Sequence, residues 1–278
     1  MNGSRSTAPH AQGRQQSGHL SRAPKEKELA RVLQAFNTWA FKREQPSDLG
    51  VLTRTVARSL MKSEPISFAL YWGKGPRSEI AGPELDCLDY LASLAARVRG
   101  VYRYGADINL ILTNTHAMLN GHSSAAIASY FSEVDVEAHK RSFKTFLLSD
   151  LCEAMAPSEA AEVCSSVPED VLQRLARSAE RWYRGEGDAL DGALKYYQMN
   201  MTERLAVEHV FPSSIFVTFN GSDQRDLFPE KLPIFYMYSV RRGTSVKPWF
   251  IPASKAATLT AVSLPTHVDA PCIGRATF

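Results

Sequence analysis

Lys74 stands between two glycines in Trp72-Gly73-Lys74-Gly75-Pro76-Arg77, directly after a run of apolar residues. A lysine at a strand end, if shielded from water, has its pKa lowered until the free amine can attack a ketone and form an imine. The same six residues also read as a surface turn, and neither the phosphate-loop spacing nor G-x-G-x-x-G occurs. Thr113-Asn114-Thr115-His116 follows a second apolar run, and His116 has the chemistry to move protons near neutral pH. Glu203 can share that role or bind a substrate amine. Asn220-Gly221-Ser222-Asp223 follows a third run, and Arg241-Arg242 to Lys247-Pro248-Trp249-Phe250 a fourth. Arg77, Arg225 and Lys247 are candidates for holding phosphate or carboxylate, the guanidinium by bidentate contact and the ammonium as a point charge. Trp72 and Trp249 either wall the pocket against water or belong to the core. In the helical pattern 188–210, Tyr196, Asn200 and Glu203 share a face, as do Arg204 and Glu208, read either as a substrate contact through Arg204 or as an ion pair on a solvated face.

Other chemistries lack their signatures. His116 and His122 have no third ligand in view, so no metal site is expected. No G-x-S-x-G elbow or cysteine-centred signature marks a covalent hydrolase. Cys87, Cys152, Cys164 and Cys272 are too widely spaced for paired zinc ligands and too few for a dense disulfide framework, so they read as reduced thiols.

These residues need a frame that brings loop positions far apart in sequence to one place. Leu29, Val32, Leu33, Phe36 and Ala40 give helical periodicity from Pro24 onward, and a second helix is expected after Ser47 as its cap. Apolar runs at 65–72, 108–113, 144–150, 214–220 and 232–240 read as strands, most of them separated by helical segments at 85–98, from Ser123, from Pro168 and at 188–210. The alternation predicts an α/β chain, a Rossmann-like, mostly parallel mixed sheet with helices on both faces in a single domain, while the last two strands have the option of a hairpin. In such sheets ligands bind beyond the carboxyl ends of the strands, where the clusters above fall.

The 278 residues suffice for a sizeable core. Residues 1–23 hold few apolar side chains and are expected to be a disordered tail, followed by an α/β domain at 24–252 and an extension at 253–278 whose order is open. Residues 1–24 carry three arginines and no acid, so the formal charge of +3 leaves the rest with 29 basic and 29 acidic residues. A neutral body gives no nucleic-acid footprint. With no run of eighteen apolar residues and no charged-then-apolar leader, neither a membrane span nor a secretory signal is expected, and the expected location is cytoplasmic.

The order of the clusters resembles the pyoverdine/dityrosine biosynthesis family, the isocyanide (isonitrile) synthases. EPISFALYWGKGPRSEIAGPELDCLDYLASL at 64–94 is similar to a family block in which a strand enters a lysine-bearing turn before a helix with an acidic start, which places Lys74 at the family's lysine. VYRYGADINLILTNTH at 101–116 looks like the strand that ends in Ser-Asp-Gly; TERLAVEHVFPSSIFVTFNGSD, EKLPIFYMYS and KPWF look like the later helix, strands and Pro-Trp-His element. Three positions depart from the pattern. Asn114 replaces the acid, Phe219-Asn220 a His-Pro pair, and Phe250 the histidine after Pro-Trp.

The resemblance implies an enzyme of secondary metabolism acting on an amino acid, with a phosphosugar such as ribulose 5-phosphate as co-substrate and no cofactor. Its catalytic candidates are Lys74, His116 and Glu203; its substrate-binding candidates are Trp72, Arg77, Asn114, Arg204, Asn220, Arg225, Lys247 and Trp249. The alternatives are a nucleotide- or adenosylmethionine-dependent transferase, weakened by the missing glycine-rich turn, and a non-catalytic binding protein that kept the scaffold. The oligomeric state is not fixed by the sequence.

Overall fold

The apolar runs at 66–72 and 106–112 become the two central strands of one sheet in the computed structural model, which describes residues 22–73, 75–119, 121–155, 167–183, 187–220, 222 and 231–238. Strands β1 (Ile66–Trp72) and β2 (Ala106–Leu112) pair in parallel from Ile66 opposite Ala106 to Trp72 opposite Leu112. They are buried almost throughout, which is why they read as continuous apolar runs and not as alternating ones. Strand β3 (Lys144–Leu147) lies outside β2, while β4 (Ile215–Thr218) pairs with β1 and β5 (Ile234–Tyr236) with β4. The order is β3-β2-β1-β4-β5 with every pairing parallel, so the chain reverses its direction of winding between β1 and β4.

The parallel sheet agrees with the sequence expectation, but the hairpin option does not. β4 and β5 run in parallel from Phe216 opposite Ile234 to Thr218 opposite Tyr236. The connection over 219–233 has the dozen or more residues that a parallel return requires. The outer edge of β5 is closed by an earlier segment: Arg43 N donates to Tyr236 O at 2.8 Å, and Ser47 N to Ile234 O at 3.0 Å. Ser47 Oγ accepts from Ile234 N at 2.9 Å. That use of Ser47 displaces it from the cap expected of it, and Asp48 caps the second helix by accepting from Val51 N at 2.8 Å.

Helices α1 (Arg22–Phe36), α2 (Leu49–Lys62), α3 (Gly82–Arg99) and α5 (Ser124–Lys140) cover one face of the sheet. α1 starts two residues ahead of its expected start at Pro24, which falls in its first turn. Ser123 caps α5 as expected, accepting from Ala126 N at 3.3 Å. The short α4 (Asn114–Leu119) follows β2 directly, and α6 (Leu148–Glu153) follows β3. Helices α7 (Glu169–Trp182) and α8 (Ala189–Val210) pair around a separate core of Leu175, Ala179, Tyr196 and Tyr197. The last turns of α8 join α6 on the second face of the sheet through Ala206, Val207, Leu148 and Leu151. Side chains alternate across β1, so Phe68, Leu70 and Trp72 enter the first core while Ala69 and Tyr71 face the second. Among the described residues no helix is long and apolar enough to cross a membrane.

Candidate functional site

Because β2, β1 and β4 are parallel neighbours, the residues that follow them stand at one edge of the sheet. Thr113 ties two of these ends together by donating its hydroxyl to Trp72 O at 2.9 Å. The chain then turns at once into α4, whose first turn carries Thr115 and His116 toward α8. On the other side, α8 is fixed at its start by a capping box between Asp188 and Asp191. Gly192 permits a close approach there: a Cβ at that position would lie 2.7 Å from the ring of Tyr183. From this anchored start, Tyr196 and Glu203 fall on one face two turns apart.

Glu203 meets both side chains from α4. Its Oε1 accepts the hydroxyl of Thr115, and its Oε2 lies 2.6 Å from His116 Nε2. The two partners are 9% and 1% exposed, so this is a dry, short, charge-assisted contact and not a surface ion pair. The Tyr196 ring stands edge-on to the imidazole at 5.9 Å, and Tyr71 reaches it from β1 with ring centroids 6.5 Å apart. Two neighbours register the charge of Glu203. Burial first, then that carboxylate, hold the Tyr196 hydroxyl well above its ordinary pKa. Burial, again followed by Glu203, pushes the Cys152 thiol up to about 12. A carboxylate that orients an imidazole in a water-poor setting can take, hold and return a proton.

A small cleft adjoins this pair along the same face, lined by Tyr71, Arg204, Val207, Glu208, Phe216 and Leu232. Arg204 Nη1 lies 3.2 Å from Glu208 Oε1, with side chains 14% and 10% exposed. The solvated face considered for this pair is therefore not where it sits. Lys231 N also donates to Glu208 Oε1, at 2.7 Å.

The structure thus brings together His116 and Glu203, and sets Arg204 beside them. Other candidates have partners elsewhere. Trp72 is buried on the opposite face, its Nε1 donating to Tyr130 OH at 3.2 Å. Arg77 Nη1 lies 2.8 Å from Oε1 of Glu84, a fully buried carboxylate in the first turn of α3. Asn114 donates Nδ2 to Ser149 Oγ at 2.8 Å and accepts from Ser149 N at 3.1 Å, tying α4 to the first turn of α6. Asn220 N donates to Thr218 Oγ1 at 3.1 Å, closing the turn after β4. Lys74, Arg225, Lys247 and Trp249 lie outside the described residues. Among those described, no group of three His, Cys, Asp or Glu side chains is placed to hold a metal ion.

Tyr71 is the residue that the sequence reading passed over. Strand alternation was the available signal, since adjacent Tyr71 and Trp72 must face opposite sides and only one of them can share a side with His116.

A doubly wound α/β sheet with a buried carboxylate–histidine pair beyond its central strands defines the class. No family model matches the sequence, and no curated protein matches it. Among solved structures, the PvcA protein from Pseudomonas aeruginosa is similar at 19% identity and a TM-score of 0.57, covering 81% of this chain and 88% of that one. Tyrosyl-tRNA synthetase from Archaeoglobus fulgidus, complexed with L-tyrosine, is similar at 16% identity and a TM-score of 0.50, covering 84% of this chain and 69% of that one. At these identities the likeness is one of fold.

Proposed function

We propose that this chain is an enzyme of small-molecule biosynthesis that binds an amino acid beyond the ends of β1, β2 and β4 and handles the protons of its amine with His116 and Glu203. The observation that carries this reading is the 2.6 Å contact between two buried ionisable groups at that edge of the sheet. Desolvation offsets much of the attraction in such a pair, so stability alone is a weak reason for its presence. Proton transfer at a bound amine is a sufficient one. The resemblance of the sequence blocks to the isonitrile synthases supports the finer form, in which the amine becomes an isonitrile and a phosphosugar such as ribulose 5-phosphate is the co-substrate. In that form Lys74 condenses with the sugar ketone, with loss of water, while Arg225 and Lys247 hold the phosphate and Trp249 shields the site. Trp72, Arg77, Asn114 and Asn220 then act as supports, through the contacts described above.

The test is turnover by the full chain with each of the twenty L-amino acids, with and without ribulose 5-phosphate, followed by mass spectrometry. His116→Ala and Glu203→Gln should stay folded and lose product, and an undiminished Glu203→Gln enzyme would exclude the pair from the chemistry. Lys74→Arg separates two roles: guanidinium cannot form the imine but can still hold phosphate. A second reading is favoured by Asn114, which stands where the family has an acid and whose amide is engaged by Ser149. In that reading the chain binds the amino acid without converting it, and the same assay shows binding with no product.

A further inference from the structure

Two residues that line the cleft beside the proton-handling pair each have a buried polar atom with no hydrogen-bond partner among the described residues, Arg204 Nε and Glu208 Oε2. A buried donor or acceptor left unmade costs about 1–3 kcal/mol, so two of them on neighbouring residues that line one cleft point to a ligand that satisfies both. The chemistry of that ligand is constrained. Arg204 and Glu208 already neutralise each other through Nη1 and Oε1, so the cleft has no net charge to offer. Its remaining walls, Tyr71, Val207, Phe216 and Leu232, are aromatic or aliphatic, and the Tyr71 and Phe216 rings meet edge-on at 5.1 Å. An ionic group brought there would lose its hydration without a free counter-charge. What fits is an uncharged planar group with an acceptor beside a donor: its oxygen accepts from Arg204 Nε and its N–H donates to Glu208 Oε2.

We infer that this cleft is the side-chain pocket of the amino-acid site and selects a carboxamide tip, that of glutamine or asparagine. The inference rests on the amino-acid reading above and adds to it which amino acid is taken. The placement agrees with one molecule occupying both places. Tyr71 contacts the cleft and faces the His116 ring at 6.5 Å, and Val207 lies one turn beyond Glu203 on α8.

The experiment is calorimetric titration of the full chain with all twenty L-amino acids one at a time, repeated on Glu208→Gln. Wild type should prefer glutamine or asparagine over glutamate, aspartate and methionine by about tenfold or more. Glu208→Gln keeps the shape of the wall but gives position 208 a donor, so it should lose about tenfold for glutamine and gain for glutamate, whose tip only accepts. A role confined to structure would not invert that preference. Val207→Phe, which fills the cleft and leaves both charges in place, should retain glycine and alanine while losing glutamine, and it serves as the test if Glu208→Gln does not fold. Binding of amino acids with no amide preference, or with the same preference in the variants, overturns this inference and leaves the amino-acid reading standing. Binding of no amino acid by the wild-type chain removes that reading, and this inference with it.

Discussion

The two faces of the sheet are built on the same strands and differ in what they bury. Among the described residues, nearly all the largest fully buried side chains lie under α1, α2, α3 and α5, including Phe36, Phe68, Leu88, Leu91 and Tyr130, with only Tyr236 on the other side. Under α6 and α8 the sheet presents Ala69 and Ile111 beside the less completely buried Tyr71, Phe146 and Phe216, and there the ionisable groups His116, Glu203, Arg204 and Glu208 gather. Apolar burial stabilises by about 25 cal/mol per Å² removed from water, so the first face holds the fold. The second face adds less to stability and can therefore carry groups whose burial opposes it. One buried carboxylate, Glu84, does lie under the first face, but Arg77 meets it at 2.8 Å at the start of α3, as a tie and not as an opening.

The comparison breaks if the first face is dispensable. Phe36 meets Phe68 and Phe235 edge-on at 5.2 and 5.5 Å, so Phe36→Ala should lower stability by about 3–5 kcal/mol in urea unfolding. The fraction that remains folded should bind amino acids as wild type does. Arg77→Met should rank next, at about 3 kcal/mol, because it removes the guanidinium from a fully buried carboxylate. Adding Glu84→Gln should recover most of that loss. An Arg77→Met protein of unchanged stability but lost activity would move Arg77 from scaffold to site.

Glu203→Gln sharpens the contrast from the other side. The amide oxygen still accepts from Thr115, so the stability loss should stay near 1 kcal/mol while turnover falls by orders of magnitude. A loss as large as that of Phe36→Ala would mean that the second face is structural too, and urea titration beside the activity assay reads both quantities.

How much of this was legible follows from what each signal depends on. Strands β1 and β2 were readable because double burial writes a continuous apolar run, and the helices because their inward residues repeat at three and four positions. The meeting of His116 and Glu203 was readable only as two separate candidates, since nothing in the spacing of residues 87 apart says that α8 returns over the end of β2. Ser47 and Asp48 show the local limit. Both are good caps, and the choice was made by β5, an edge strand far along the chain that needed an acceptor for Ile234 N. Arg204 and Glu208 failed for a related reason, because i and i+4 spacing gives the same ion pair on a wet or a dry face. Only packing against Tyr71, Phe216 and Leu232 decided which.

The smallest effect concerns Cys152, half-buried on the second face, and it tests whether the charge of Glu203 is felt there. Burial first and Glu203 second raise the thiol from 9.0 to about 12, so at pH 8.5 the folded protein holds almost no thiolate at this position. Thiolate is the reactive form, so iodoacetamide should label Cys152 at least about tenfold more slowly in the folded chain than in urea, read peptide by peptide in a mass spectrometer. The sign for stability follows from the same shift. A raised acid favours the neutral native form below about pH 9, and that contribution is lost as pH climbs from about 9 through about 12. Glu203→Gln removes the negative charge, lowers the thiol pKa and should speed labelling a few-fold at unchanged pH. Labelling that is slow in both proteins to the same degree would assign the whole shift to burial and place the charge of Glu203 out of reach of α6.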